Sequence, residues 1–466
     1  MIAGPLLAVA LVLQQQPARP DTGRPCRVMI DSIGHTYREI TGANGEKSAH
    51  AGGGVLGHCE GTGSTISADS FAHYSALGRL DLIGRVQIRD TGMTLDARTA
   101  SYFLKDERLE AHNNVVAINR RTGSVLRGPN LRYWRAAKGV RDTVEMYATQ
   151  RPTVEYRQTQ TGDTLSEPYI IVGDRLRFKG DDRMWAGGKV TIDRSDFAAR
   201  SDSMQLDQTT GFGVLVGSPR VEGRGREGGG ATGDAAKGYT LVGTRIELGL
   251  AQRDIRQVKA LGHGSATGAD WNLTADTIDL RVANRLLQQT YAWGDTSRPH
   301  AISALYTIQS DSLAIDSPGE ILTESRAFGN AFSTAKRDST TPPKETDWIT
   351  GDSLTIRFAQ EQDSASRPRS RLHELVSRGS ARALTHHRDT RDTTNAGPSV
   401  NYSRGHQITL AMLKDRIDRV VVAGKSDGVH LVPRPAVVAD SVKRAQSDTT
   451  RRAPSAPPPP PPPARP

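Results

Sequence analysis

Four neighbouring segments decide the fold of this chain. Thr65–Tyr74 reads TISADSFAHY, Arg79–Ile88 reads RLDLIGRVQI, Met93–Tyr102 reads MTLDARTASY and Arg108–Ile118 reads RLEAHNNVVAI. Each alternates apolar and polar residues, the period of a half-buried β-strand. Leu80, Leu82, Val86 and Ile88 share one side, with Asp81, Arg85 and Gln87 on the other. Leu109, Ala111, Val115 and Ala117 repeat the arrangement, as do Ile66 with Ala68 and Met93 with Leu95 and Ala97. A sheet that is apolar on one face must close on a second sheet or on a ligand.

Two signatures recur outward from this core. The first is a Gly or Asn followed two residues later by Val or Ala. It occurs at Gly52-Gly53-Gly54-Val55, Gly84-Arg85-Val86, Asn113-Asn114-Val115, Gly188-Lys189-Val190, Gly264-Ser265-Ala266, Gly329-Asn330-Ala331 and Gly379-Ser380-Ala381. Gly inside a strand marks a bulge or sharp bend, so each strand is expected to turn the same corner there. The second is a small residue, usually Asp, any residue, then an apolar one. Ala68-Asp69-Ser70-Phe71, Gly173-Asp174-Arg175-Leu176, Ser201-Asp202-Ser203-Met204, Ala275-Asp276-Thr277-Ile278, Ser310-Asp311-Ser312-Leu313 and Gly351-Asp352-Ser353-Leu354 carry it. Gly128-Pro129-Asn130-Leu131 and Gly243-Thr244-Arg245-Ile246 are looser copies. The Gly-Gly-x-Gly-x-Asp spacing of calcium-binding β-rolls is absent, so the Asp reads as a turn residue bonded to nearby backbone. Together these predict about ten repeats of roughly 28 to 44 residues.

Composition agrees with many short strands and glycine turns. Aromatic residues are 5% and apolar residues 36% of 466, with 46 Gly. The apolar run Met1–Leu13 has the length of a signal-peptide core, although no Lys or Arg precedes it, and it sets residues 1–20 apart as an export signal. No later window approaches the ~20 apolar residues of a membrane-spanning helix. In an exported chain the two cysteines, Cys26 and Cys59, could form one disulfide across the first strands or remain separate thiols. The net charge of +10 is scattered. Without a basic stripe and aromatic platforms, it argues against nucleic acid. Residues 436–466 end in the proline run Pro457–Pro463, a disordered or polyproline tail.

Catalytic patterns are missing. No Gly-x-Ser-x-Gly, His-Glu-x-x-His or Cys-x-x-Cys occurs, and Gly223–Gly233 lacks the Lys-Ser/Thr ending of a phosphate loop. Asp181 and Asp182 are adjacent, and on a strand they would point to opposite faces. His386 and His387 read as solvated histidines in a polar loop. The sequence therefore predicts no enzyme, no metal and no cofactor.

The segments at 66–134 resemble the OstA-like (LptA-type) repeat of the lipopolysaccharide-transport proteins LptA, LptC and the N-terminal part of LptD. The match is close over 27–135 and drifts over 136–435. The resemblance implies an all-β, elongated V-shaped jelly roll of stacked antiparallel strands. It also implies a periplasmic, non-enzymatic activity: moving lipopolysaccharide or a related glycolipid between membranes, with acyl chains shielded in an apolar groove. Ile66, Leu80, Leu82, Val86, Ile88, Leu95, Leu109 and Val115 are then the groove candidates. LptC-like and LptD-like proteins, or further copies of this chain, would join at edge strands. Counting one layer per repeat, ten layers ~4.8 Å apart give a groove on the order of 50 Å. The competing expectation is a β-solenoid or adhesin-like structural protein with a wholly filled interior.

Overall fold

The computed structural model describes residues 26–60, 63–136, 141–157, 167–224, 238–251, 254–268, 271–335, 346–362, 368–387, 398–413 and 416–432. The segments read above as an export signal and a proline tail, and the greater part of the glycine-rich loop, lie outside these residues.

Among the described residues, thirty antiparallel strands join into one hydrogen-bonded sheet. The first eight are β1 (Arg27–Ile33), β2 (Thr36–Thr41), β3 (Lys47–Glu60), β4 (Ser64–Tyr74), β5 (Arg79–Arg89), β6 (Met93–Phe103), β7 (Arg108–Asn119) and β8 (Val125–Trp134). Each pairs with its neighbour in sequence: β3 with β4, β4 with β5, and onward. Long strands bend near their middle, and where the bend breaks a strand, its two halves continue on the same neighbour. Thus β1 and β2 both lie along β3, while Glu145–Thr149 and Thr153–Tyr156 both lie along β8. Fourteen strands cross the bend whole and the other sixteen do so in pairs, which makes 22 rungs.

The bend divides the stack into two arms that meet at a vertex and face each other across the interior. The first arm contains Arg79–Ile83, Arg108–His112 and Arg183–Gly187; the second contains Val86–Arg89, Val115–Asn119 and Val190–Arg194. The apolar sides of both arms form one continuous core. Leu95, Ala111, Leu176, Leu215, Ile246 and Ile278 are wholly buried in it. Burying such a Leu or Ile contributes about 1.5–3 kcal/mol, repeated rung after rung.

The two sequence signatures prove to be two halves of one corner, on alternate rungs. On one rung, two successive residues take left-handed backbone: Gly53–Gly54, Gly84–Arg85, Asn113–Asn114, Gly188–Lys189, Gly329–Asn330 and Gly379–Ser380. On the next rung, the Asp position faces them. The Asp174 amide donates to the Gly188 carbonyl at 2.9 Å, and Asp202 and Asp311 do the same to Gly217 and Gly329 at 3.0 Å. The Asp carboxylates lie where a side chain on the facing glycine would sit. In β5 the two-residue corner preserves alternation, so Leu80, Leu82 and Val86 stay inside. In β4 the Asp corner shifts the pattern by one, from Ala68 to Phe71.

Three expectations need correction. One copy of the first signature was placed two residues late: the left-handed pair is Gly262–His263, ahead of Gly264. A repeat comprises two rungs, one of each corner type. The stack is therefore on the order of 100 Å long at ~4.8 Å per rung, twice the expected length. And His386 ends the strand Pro368–His387, where its side chain is only 9% exposed and its Nδ1 lies 2.9 Å from Asp347 Oδ1.

Candidate functional site

Apolar residues that alternate along every rung place the site between the arms. Of the eight groove candidates, Leu80, Leu82, Val86, Leu95, Leu109 and Val115 are at most 5% exposed and belong to the one buried core. Ile66 and Ile88 face each other in register on β4 and β5 and are half-buried, in the same cross-strand row as Leu95. Cys26 and Cys59 are joined by a disulfide, Cα–Cα 5.3 Å, which ties the start of β1 to β3 on the second arm.

The interior widens at the mouth, where the free edges of the arms approach. A cavity of about 270 Å³ lies there, between the second-arm residues Met93, Leu126 and Val154 and the first-arm residues Tyr133, Met146 and Phe178. Tyr133 and Tyr156 point their rings into it, and burial pushes both phenols above their usual range. Its deeper walls are apolar, with the neutral hydroxyls of the two tyrosines, and Asn119, Arg121, Thr122, Ser124 and Asp181 line its polar side.

Polar side chains bridge the mouth above this cavity. Asp181 stands in the hairpin turn between the first-arm segments Arg175–Lys179 and Arg183–Gly187. The adjacent Asp181 and Asp182 are therefore turn residues and not strand residues as expected. Asp181 accepts from Asn119 Nδ2 at 2.5 Å and pairs with Arg121, both at the edge of the second arm. Two rungs on, Gln208 donates to the Tyr156 hydroxyl across the same gap. Farther along, Arg194 reaches across to Asp254 at 3.5 Å, and Arg285 reaches back to Glu167 at 3.6 Å and Asp196 at 3.7 Å. Arg194 also bonds Asp196 at 2.5 Å and covers the Tyr169 ring at 4.3 Å, with its side chain 4% exposed. The mouth is a seam fastened by at least three separate clasps.

None of these clasps was singled out from sequence. Asn119 and Asp181 are 62 residues apart, and only the rung count brings them opposite each other. At the ends of the stack, the first rung exposes Tyr37 and Ile40, and the last exposes Val421, Val429 and Leu431. Among the described residues no helix is long and apolar enough to cross a membrane. No family model matches this chain, and no curated protein matches it.

Proposed function

We propose that this chain is a non-enzymatic lipid-binding protein of the cell envelope. It moves lipopolysaccharide or a related acylated glycolipid through the periplasm between membranes, shielding acyl chains between its arms. One observation carries the reading: an apolar cavity lies behind a polar seam, with Arg121 and Asn119 at the rim where an anionic headgroup would sit. Guanidinium pairs well with phosphate oxygens, so a lipid phosphate can compete with Asp181 for Arg121. At about 270 Å³ the cavity is near the lower limit of small-molecule sites, so several acyl chains require the arms to part. The clasps are what would open. Exposed apolar residues on the first and last rungs, each hydrogen-bonded to a single neighbouring rung among the described residues, suit strand addition by LptC-like and LptD-like partners or another copy.

A second reading has its own support. The near-zero exposure of Leu82, Val86 and Leu95 favours a filled, structural solenoid around the vertex. Native mass spectrometry of the chain purified from its own envelope separates the two. The transport reading expects bound glycolipid of defined stoichiometry, lost when Ala117→Trp fills the cavity while the β-sheet circular dichroism is kept. A folded chain that is empty, and stays empty with added lipopolysaccharide, sinks transport and leaves the solenoid.

A further inference from the structure

The outward face of the first arm carries three cross-strand rows between Glu145 and Arg245. The middle row runs Tyr147, Arg177, Trp185, Gln205, Val214, each directly opposite the next. The row nearer the vertex runs Arg175, Gly187, Ser203, Val216, Arg245. Gly187 interrupts that row: with no side chain, it leaves a trough of about 640 Å³. Trp185 and Tyr147 line it on one side and Phe212 on another, and Phe212 is 40% exposed. The opposite face of the same strands is solid core, with Leu176, Met184 and Leu215 at most 1% exposed. The platform is held rigid from behind, which lowers the cost of ordering a ligand.

The charges around the trough are mostly answered. Arg177 pairs with Glu145 at 3.2 Å and lies over the Trp185 ring at 5.5 Å. Arg183 pairs with Asp207 at 3.1 Å and Arg245 with Glu247 at 2.9 Å. Arg175 differs: its guanidinium lies across Gly187, and among the described residues no carboxylate pairs with it. Single-stranded nucleic acid needs a run of unanswered cations beneath its backbone. This trough offers flat aromatic faces, hydrogen-bonding edges in Gln205, Ser203 and ion-paired carboxylates, and one open cation.

We propose that this trough binds an oligosaccharide bearing an anionic group. The C–H faces of sugar rings stack on Trp185, Tyr147 and Phe212, whose negative π-faces attract them. Hydroxyls exchange hydrogen bonds with Gln205, Ser203 and Asp207, and a carboxylate or sulfate pairs with Arg175. The site is separate from the interior, because its residues alternate outward from those that line the core.

Isothermal titration of the full chain tests this, with hexagalacturonate and a heparin hexasaccharide as anionic probes, maltohexaose as the neutral one and a dT10 oligonucleotide. The expected result is binding of an anionic sugar that Trp185→Ala and Gly187→Leu each weaken at least tenfold. Arg175→Gln should bring that affinity down to that of maltohexaose. The first atom of a side chain at Gly187 meets the flexible end of Arg175, at 3.0 to 3.3 Å, and retained β-sheet circular dichroism of the Gly187→Leu chain checks that the fold is kept. No heat with any sugar, binding indifferent to Trp185→Ala and Gly187→Leu, or tighter binding of dT10, each overturns the proposal. Lipid loading of the same variants is expected to be unchanged, which keeps this outcome apart from that of the interior.

Discussion

Adding one methyl group at Gly84 would put it 2.9 Å from the Asp69 Cβ and closer still to its carboxylate, on backbone at φ +76°. Both objections act at once, strain and collision. Gly84→Ala is expected to cost about 2–3 kcal/mol, against about 1 kcal/mol for Asn113→Ala, where Asn already tolerates the left-handed region. Because the backbone of β5 is hydrogen-bonded only to β4 and β6, the loss should show as faster amide exchange around β4 to β6 and not throughout the chain. Glu320 makes a different case. Burial pushes its carboxyl above the usual range, and its Oε1 is buried without a hydrogen-bond partner. A carboxyl with a raised folded pKa favours folding while neutral, and that stability is lost as pH rises from the unfolded value through the folded one. Glu320→Gln is therefore expected to raise the melting temperature at pH 7 and leave it nearly unchanged at pH 4. A variant equal to the parent at both pH values would show Glu320 to be solvated. At this scale the sequence was readable where glycine stood at a corner. It was silent at Gln150 and Arg151, which form a left-handed pair at φ +64° and +60° with no residue type to announce it.

Individual rungs read well from alternation because a strand's inside and outside are set by its own residues. The seam did not, because a clasp joins hairpins two or more rungs apart. Asp181 was legible only as half of an acidic pair, and its partners lie 60 and 62 residues earlier. Arg121 is 58% exposed, so solvent screens its pairing with Asp181. A double-mutant cycle of Arg121→Ala with Asp181→Ala is expected to give coupling below about 1 kcal/mol. The same pair should nevertheless speed uptake of a fluorescent acyl probe severalfold, since a seam governs opening more than overall stability. Uptake at the parent rate in both single variants would mean that the arms part elsewhere.

Across the whole molecule, the class of fold was clear in the sequence but its scale was not. About ten repeats were expected and the described residues make 22 rungs, two to a repeat; a repeat was taken for one layer because its glycine corner and its Asp corner were not assigned to separate rungs. The correction is measurable. A rod on the order of 100 Å long has a radius of gyration of about 30 Å or more, against about 23 Å for a compact globule of this chain length. Small-angle scattering of residues 26–432 is expected to give the larger value. The smaller one would mean that the stack folds back on itself.

The in-order ladder also bears on ancestry. Since the backbone ladder joins each rung only to the rung before and the rung after, and only the side-chain clasps of the mouth reach farther, duplicating or deleting a stretch changes the length without rerouting the chain. The direction of travel reverses at each rung, and the two corner types alternate with it. A single added rung would put two corners of one kind side by side at the insertion and shift every later hairpin to the other arm. Two added rungs restore everything. Inherited length is thus free to drift, but only in even steps, and a gap between two surfaces can be matched by copying a piece of gene about as long as one repeat.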